Sequence, residues 1–155
     1  MSKELINKFY TAFAKLDSAA MVECYHNDIE FKDPAFGTLK GERAKAMWTM
    51  LCKSAKDLKI EFSKVESSET EGSAHWDASY IFSKTGRPVL NKIDAKFEFR
   101  DGKIIKHIDT FSLHTWAKQA MGIQGFLLGG TSFFKKKLHQ QTNRLLDKFM
   151  ASNPS

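Results

Sequence analysis

The hydrophobic pattern of this 155-residue chain changes its period near residue 58, and that change constrains the fold more than any other feature. Before it, apolar residues recur at a spacing that predicts helices over 3–16, 18–25 and 41–56. After it, apolar and polar residues alternate, which predicts β-strands at 58–66, 74–82, 89–99 and 104–113. Helices followed by a run of strands are typical of an α+β protein. We therefore predict an antiparallel meander whose curved sheet wraps around three N-terminal helices.

The composition fits one domain with a substantial core. Hydrophobic residues make up 42% and charged residues 27% of the chain, which suits a single folded domain. The chain has thirteen Phe and three Trp, which provide more aromatic surface than a minimal core requires. The formal net charge of +6 is concentrated near the C-terminus, which raises nucleic acid and anionic membrane as partners. No nucleic-acid-binding motif accompanies the basic residues, so nucleic acid is not expected.

A short strand and turn between the second and third helices contain the first candidate site residue. Ile29 and Phe31 alternate with charged residues, and Asp33 falls on their apolar side. Pro34 forces Asp33 into an extended conformation and ends the strand pairing. A carboxylate held on an apolar strand face is a candidate general base. The alternative is a solvated Asp that begins a turn, which is a common role for Asp before Pro.

The phase of the last strand identifies two further candidates. His107 and Asp109 lie on the same side as Ile105 and Phe111, so two polar groups are neighbours on a mostly apolar face. Burying them without partners would cost about 2 kcal/mol or more each, so they should bond each other, Asp33, water or a ligand. Two interpretations stay open. The pair is either part of a site in an apolar cleft or a self-satisfied His–Asp pair in the core.

Three sequence features give the chain a resemblance to a known superfamily. They are the N-terminal helix, Ala-Met-Val-Glu-Cys-Tyr-His-Asn-Asp-Ile-Glu-Phe-Lys-Asp-Pro at 20–34, and Phe-Arg-Asp-Gly-Lys-Ile-Ile at 99–105. Over 3–113 the chain resembles the nuclear transport factor 2-like superfamily, which includes ketosteroid isomerases, SnoaL-type polyketide cyclases and limonene-epoxide-hydrolase relatives. The resemblance implies a cone, in which a curved antiparallel sheet and three helices enclose an apolar pocket. It also implies a dimer formed through the sheet.

The isomerase residues carry over unevenly. Asp33 matches the isomerase general base, which lies in a similar Asp-Pro turn. The tyrosine that donates to the oxyanion falls at Phe9, and Tyr10 is expected to point elsewhere on the helix. The second donor falls at Ala95 if the apolar phase sets the register, whereas a slip of one residue would bring Asp94 to the pocket. With the apolar phase, ketosteroid isomerase activity is not expected, because the enolate would lack its donors.

The resemblance implies a pocket for a small hydrophobic molecule, with Asp33, His107 and Asp109 as candidate catalytic acid/base residues. Asp109 matches a pocket-facing position at which cyclase and hydrolase relatives place a catalytic acid, but no hydrolase-type arginine partner lies nearby in the sequence. No cofactor and no metal are expected. The alternative function is a non-catalytic ligand-binding or dimeric interaction module. The candidate ligand-binding residues are aromatic: Phe9, Phe13, Trp48, Trp76, Tyr80, Phe97 and Phe111.

Residues 114–155 form a C-terminal helical extension of the domain at 1–113. Their pattern predicts a short helix at 116–122, an apolar loop at 126–130 and a basic amphipathic helix at 131–150. The last helix is expected to cap the open end of the cone or to pack on a dimer partner. The alternative is contact with a membrane surface through Phe126, Leu127, Leu128 and the lysines.

The remaining hydrophobic residues predict association and location. Ile81, Ile104 and Ile108 fall on the outward side of their strands, so we expect a homodimer formed through the convex face of the sheet. Cys24 and Cys52 lie in helical patterns, and we expect both to be buried thiols in a protein of a reducing compartment. The N-terminus lacks an apolar signal segment, and no apolar run is long enough to span a bilayer. A cytoplasmic protein is predicted.

Overall fold

The computed structural model describes residues 2–55 and 57–153, which form six helices and six strands. The helices are α1 (Ser2–Ala14), α2 (Ser18–Glu23), α3 (Glu42–Ser54), α4 (Leu113–Met121), α5 (Ile123–Leu128) and α6 (Ser132–Ser152). The strands are β1 (Tyr25–Asp33), β2 (Gly37–Lys40), β3 (Lys59–Ser67), β4 (Glu71–Phe82), β5 (Arg87–Arg100) and β6 (Lys103–Thr110). Within these described residues, no helix is both long and apolar enough to cross a membrane.

The strands form one curved, unclosed sheet in the order β2-β1-β6-β5-β4-β3. Neighbouring strands are antiparallel except β1 and β6, which run parallel. The predicted α+β cone is confirmed, but the sheet has two more strands than the predicted meander. The chain turns after Pro34 and pairs with itself, so that Asp33 lies opposite Gly37. Gly37 has a φ of 75°, a left-handed conformation that a side chain would disfavour.

Helix α1 lies against the concave face of the sheet and supplies the centre of the core. Trp76 packs on Tyr10 and Phe13, and Phe97 packs on Tyr10. The predicted inward orientation of Trp76 and Phe97 is confirmed, and half-buried Phe111 packs against the same core. These rings remove a large apolar area from water, which is the main favourable contribution to folding.

A β-bulge in β6 changes the side on which one residue lies. The register of β5 against β6 shifts at Phe99, which pairs with Ile104 and leaves Ile105 as the extra residue. Ile104 therefore points into the core and is fully buried. The prediction that Ile104 faces outward is wrong, because strict alternation does not survive a bulge. His107 and Asp109 lie beyond the bulge and keep the inward side that the strand phase predicts.

The C-terminal helix α6 packs on the domain rather than extending away from it. It contacts α3, where Arg43 donates hydrogen bonds to Asn143 at 2.8 Å and Asp147 at 2.6 Å. Three of its side chains donate to carbonyls of the β1–β2 turn: His139 to Pro34 (2.8 Å), Thr142 to Ala35 (2.9 Å) and Asn143 to Phe36 (3.0 Å). The predicted helix is confirmed, whereas the segment predicted as an apolar loop is largely the short helix α5.

Candidate functional site

A large apolar cleft opens between the concave face of the sheet, helix α3 and the C-terminal helices. Its volume is about 1170 Å³, which exceeds the roughly 300–1,000 Å³ of typical small-molecule sites. The cleft is therefore large enough for a polycyclic or long-chain ligand. Five of the seven predicted ligand-binding residues line it: Phe13, Trp48, Trp76, Tyr80 and Phe111.

The other two predicted ligand-binding residues, Phe9 and Phe97, lie in the core. They are 0% and 2% exposed and pack around His107, with ring centroids 5.5 Å and 4.5 Å from the imidazole. Both face the interior as predicted, but Phe9 and Tyr10 of helix α1 pack directly on His107 and Phe97. The space that the phase alone would give to a ligand is filled by the protein itself.

Asp33 lies on the cleft wall, and its two carboxylate oxygens have different surroundings. Its Oδ1 accepts hydrogen bonds from the backbone N–H groups of Ala35 at 2.9 Å and Phe36 at 2.7 Å. Its Oδ2 bonds to no residue among 2–55 and 57–153, and the side chain lines the cleft. The two interpretations of the Asp-Pro sequence are thus compatible, because Oδ1 holds the turn while Oδ2 remains available to a ligand.

The environment of Asp33 favours its neutral form. Burial raises the pKa of the Asp33 carboxyl to about 7, and the negative charge of Asp109 acts in the same direction. The backbone N–H groups of Phe36 and Ala35 act against this increase, because they stabilise the carboxylate. A carboxyl with a pKa near 7 is partly protonated at neutral pH, so it can either accept or release a proton there.

A chain of hydrogen bonds runs through the core behind the cleft wall. Trp48 Nε1 donates to the Tyr25 hydroxyl at 2.7 Å, and that hydroxyl lies 2.7 Å from His107 Nδ1. His107 Nε2 lies 2.9 Å from Asp109 Oδ1, which also accepts from Trp76 Nε1 at 3.3 Å. With a neutral imidazole, Tyr25 donates to Nδ1 and the Nε2–H group donates to Asp109. We call these five side chains the buried polar chain.

The three predicted catalytic residues do not share one space. Asp33 lines the cleft, whereas His107 is 0% exposed and Asp109 is 5% exposed. The indole rings of Trp48 and Trp76 line the cleft, and their N–H groups bond to the buried polar chain. The expectation that all three groups open onto a common void is wrong, because the two indoles separate His107 and Asp109 from it. A catalytic role for each residue stays a prediction.

Two buried tyrosines accompany the site, and neither was predicted as a site residue. Burial raises the pKa of Tyr25 and of Tyr10 well above the usual range, and the Asp109 charge adds to both increases. Tyr10 projects toward Phe62, a different direction from Phe9 as expected, yet it is fully buried. Its hydroxyl is the one buried side-chain polar atom that lacks a partner within the described part of the chain.

The alternation of strand β1 could have indicated the side of the sheet on which Tyr25 lies. The helical pattern over 18–25 assigns it to the second helix, whereas β1 begins at Tyr25. Tyr25 lies four positions before Ile29 and six before Phe31, so strict alternation puts all three on one side, although the pairing of β1 with β6 is irregular between Tyr25 and Glu30. Its bond to His107, 82 positions later, is a product of the parallel β1–β6 pairing, which local pattern does not reveal.

Asp94 lies on the convex side of the sheet. Its side chain is 80% exposed and its Oδ1 lies 2.9 Å from His75 Nδ1. His75 Nε2 lies 2.8 Å from Asp77 Oδ1. The pKa of His75 is raised, and the hydrogen bond between His75 and Asp94 is the largest cause of that increase. The register that the apolar phase predicts is confirmed, and Asp94 does not reach the cleft.

Tyr80 adds a hydrogen-bond donor to the cleft wall. Its hydroxyl accepts from Trp116 Nε1 at 2.6 Å, so its own proton remains free to bond a ligand oxygen. Burial raises the pKa of Tyr80, while the bond from Trp116 acts against that increase. The cleft therefore combines a proton acceptor, Asp33, with a neutral phenol donor. Within 2–55 and 57–153, no group of three or more His, Cys, Asp or Glu side chains is placed to hold a metal ion.

A comparison with known families identifies the domain to which most of the chain corresponds. The chain matches the family model of the SnoaL-like domain over residues 6–107. That span begins in α1 and ends in β6, and it includes Asp33, the β1–β2 turn and His107. A comparison with curated proteins gave no significant match.

Solved structures share this fold at low sequence identity. A protein from Catenulispora acidiphila with a ketosteroid isomerase-like fold, in complex with trimethylamine, is 15% identical with a TM-score of 0.66, over 76% of this chain and 92% of its own. A protein from Xanthomonas campestris, provisionally assigned as a polyketide cyclase, is 19% identical with a TM-score of 0.63, over 75% and 93%. An LEH-like epoxide hydrolase from M. tuberculosis is 15% identical with a TM-score of 0.63, over 81% and 89%.

Proposed function

The chain belongs to the SnoaL-like domain family, and from that premise we propose that it is an acid–base enzyme. Its substrate is a small hydrophobic molecule bound in the cleft, and Asp33 is the group that moves a proton. The observation that carries this proposal is the Asp33 carboxyl, with a pKa of about 7, on the wall of an apolar cleft. Acid–base catalysis is most effective when the pKa of the group lies near the working pH.

We assign complementary roles to Asp33 and Tyr80 in this proposed proton transfer. Asp33 Oδ2 has no partner among the described residues, so it can take a proton from the substrate while Oδ1 stays bonded to the turn. The Tyr80 hydroxyl can donate to a substrate oxygen on which charge develops. Phe13, Trp48 and Trp76 exclude water around the reacting atoms.

The substrate class is supported by the cleft and by the names of two relatives. A polyketide cyclase acts on a polyketide and an epoxide hydrolase acts on an epoxide, and the relatives carry those names. Both kinds of molecule combine apolar bulk with a reactive oxygen-containing group, which the cleft of this chain also suits. Ketosteroid isomerase chemistry fits less well, because Phe9 has no hydroxyl and Asp94 lies on the convex side.

The proposal is tested by deuterium exchange and turnover on a panel of hydrophobic ketones and epoxides. We expect deuterium to enter beside the carbonyl, or the epoxide to open, at a rate that Asp33→Asn lowers about 10²- to 10⁴-fold. Asn keeps an oxygen for the Ala35 and Phe36 N–H groups, so the turn is preserved. Quenching of tryptophan fluorescence reports binding independently, because Trp48 and Trp76 lie on the cleft wall.

The matched control is Asp28→Asn, which removes a carboxylate from the same strand where the side chain is 84% exposed. It should leave both binding and turnover unchanged. Turnover that survives in Asp33→Asn would exclude Asp33 as the proton-transferring group.

The second candidate function is a ligand-binding module without turnover. It is favoured by the size and apolar wall of the cleft, which need no catalytic group to hold a ligand. In that case compounds quench the fluorescence of the wild type and of Asp33→Asn equally, and neither protein changes them. A homodimeric interaction module is distinguished by binding no compound at all.

Two further features of the chain are part of the proposal. Ile81 and Leu90 are exposed, and they support association of two copies through the sheet, in which Ile104 takes no part because it is buried. Light scattering at micromolar concentration tests this, and a monomer would exclude it. Cys24 and Cys52 are free and buried, which supports a cytoplasmic location that fractionation of cells would test.

A further inference from the structure

The C-terminal helices carry most of the net charge of the protein. From residue 113 onward the chain has six lysines and arginines and one acidic residue, Asp147. Five of the six net positive charges therefore lie in this segment, and the preceding residues are close to neutral. Charge collected in this way creates a local positive potential that attracts anionic surfaces.

The same helices expose a group of large apolar side chains. Nine large hydrophobic side chains are exposed among the described residues, and six of them lie in α5 and α6. Leu127 is 67% exposed and Phe133 is 63% exposed. Single exposed apolar residues need no explanation, but a group of neighbours marks an interaction site. We call the following residues the apolar tip: Ile123, Phe126, Leu127, Leu128 and Phe133.

Lysines border the apolar tip at close range. Lys118 Nζ lies 5.6 Å from the centre of the Phe126 ring, and Lys137 Nζ lies 5.2 Å from the centre of the Phe133 ring. Lys135 and Lys136 lie just before Lys137 in α6 and are exposed. Apolar groups bordered by cations match the headgroup boundary of an anionic bilayer, where side chains enter the acyl region and lysines meet phosphates and carboxylates.

The apolar tip is continuous with the edge of the cleft. Leu128 and Phe133 belong to the tip and also line the cleft, together with Phe134 and Lys137. A surface that covers the tip would therefore lie next to the opening of the cleft. A hydrophobic molecule could then move from that surface into the cleft without crossing bulk water.

We propose that the apolar tip binds the surface of an anionic lipid bilayer and places the edge of the cleft against it. A second copy of the chain fits this surface less well, because the lysines of the two copies would face each other. Nucleic acid also fits less well, because it would neutralise the lysines and leave the apolar side chains exposed to water. The proposal does not depend on whether Asp33 is catalytic.

The experiment is co-sedimentation of the full chain with two kinds of vesicle. One contains phosphatidylcholine alone, and the other contains equal amounts of phosphatidylcholine and phosphatidylserine. We expect at least about tenfold tighter binding to the anionic vesicles, because several lysines meet the charged surface. We also expect that binding to weaken as salt is added.

Two double variants separate the apolar contribution from the charge contribution. Phe126→Ser with Leu127→Ser should weaken binding to anionic vesicles by more than about tenfold. Lys135→Glu with Lys136→Glu should do the same through charge. The matched controls are Leu16→Ser, an exposed apolar residue just after α1, and Lys3→Glu with Lys15→Glu, two exposed lysines in α1 and just after it. Both controls should bind as the wild type does, and circular dichroism verifies that each variant is folded.

Several results would overturn the proposal. No binding to either vesicle excludes a lipid surface, and equal binding to both excludes recognition of anionic lipid. Self-association that the two serine substitutions abolish, without vesicle binding, would assign the tip to a second copy. Binding of nucleic acid that exceeds vesicle binding, and that the glutamate substitutions abolish, would assign the lysines to nucleic acid.

Discussion

Asp33 and Asp109 are both carboxylates on the apolar side of a strand, but they have different neighbours. Asp109 lies in the core, where Trp76 donates to its Oδ1 and His107 lies within hydrogen-bond distance of the same oxygen. Asp33 bonds two backbone N–H groups with one oxygen and presents the other at the cleft. The same local sequence signal therefore leads to a carboxyl bonded to core side chains in one region and to a carboxyl on the cleft wall in the other.

The comparison separates stability from chemistry. A buried polar group that bonds several core side chains holds those neighbours in one arrangement. A carboxyl on a cleft wall is within reach of a substrate, with which it can exchange a proton. The buried polar chain bonds the indoles of Trp48 and Trp76, which line the same cleft as Asp33.

The largest expected effect is loss of stability on breaking the buried polar chain. His107→Phe leaves the Tyr25 hydroxyl and the Asp109 carboxylate buried without their shared partner, so unfolding free energy should fall by about 3–5 kcal/mol. Urea unfolding measures this loss. Asp33→Asn is the comparison variant and should change stability at pH 5 by less than about 1 kcal/mol. Similar losses in the two variants would mean that the two regions do not differ as described.

A smaller effect is expected on the pH dependence of stability. The pKa of Asp33 is about 7 in the folded protein and 3.8 is its ordinary value, so between those values the folded state binds more protons than the unfolded state. Stability from this group is therefore fully present below about pH 4 and is lost as the pH rises through 7. Because Asp33 is only half-buried, solvent screening weakens the effect of its shifted pKa. We therefore expect the free energy of unfolding to change by about 2 kcal/mol.

The measurement is the difference in unfolding free energy between wild type and Asp33→Asn at several pH values. Contributions of His75 and of other titrating groups are common to both proteins and cancel. The wild type should lose stability relative to the variant between pH 4 and pH 7. A difference that is constant with pH would show that the pKa of Asp33 is not raised.

Strand phase predicts which side of the sheet a residue faces, and here it does so for Asp33, His107, Asp109 and outward Asp94. It does not predict whether an inward residue reaches a cleft. That depends on Trp48 and Trp76, which come from a helix and a different strand and separate His107 from the open space. Enclosure is a property of the tertiary structure, so local pattern leaves it undetermined.

The errors have similar physical causes. Ile104 is misplaced because a bulge adds one residue to β6 and shifts the alternation. Tyr25 is assigned to a helix because its strand partner lies far along the chain, in β6. Phe9 and Phe97 face the interior as predicted, but Phe9 and Tyr10 of α1 fill this part of the cone themselves. The alternation of residues along the sequence does not reveal a β-bulge, a parallel strand pairing or the space that a helix occupies.

A moderate effect is expected on removing one donor from the buried polar chain. Trp76→Phe deletes the N–H group that donates to Asp109 at 3.3 Å, and we expect a loss of about 1–2 kcal/mol in urea unfolding. Trp116→Phe is the matched control, because its N–H group bonds the Tyr80 hydroxyl at the part-buried edge of the cleft. It should cost less than about 1 kcal/mol. Equal costs would indicate that the Asp109 bond is no more important to stability than one at the cleft.

The smallest expected effect concerns the hold of α6 on the turn that carries Asp33. Thr142 donates to the carbonyl of Ala35 at 2.9 Å, and Ala35 in turn donates its N–H group to Asp33 Oδ1 at 2.9 Å. Thr142→Val keeps the shape of the side chain and removes the hydroxyl, so stability should fall by about 0.5–1.5 kcal/mol. The Asp33 carboxyl should become more mobile, which lowers turnover several-fold with little change in ligand affinity.

The matched control is Thr49→Val on α3, where the lost bond is to the carbonyl of Lys45 within the same helix. If both valine variants cost the same stability and only Thr142→Val lowers turnover, α6 orients the catalytic carboxyl. If turnover is unchanged in both, the β1–β2 turn holds Asp33 without help from α6, and the open region of the molecule is independent of the C-terminal helices.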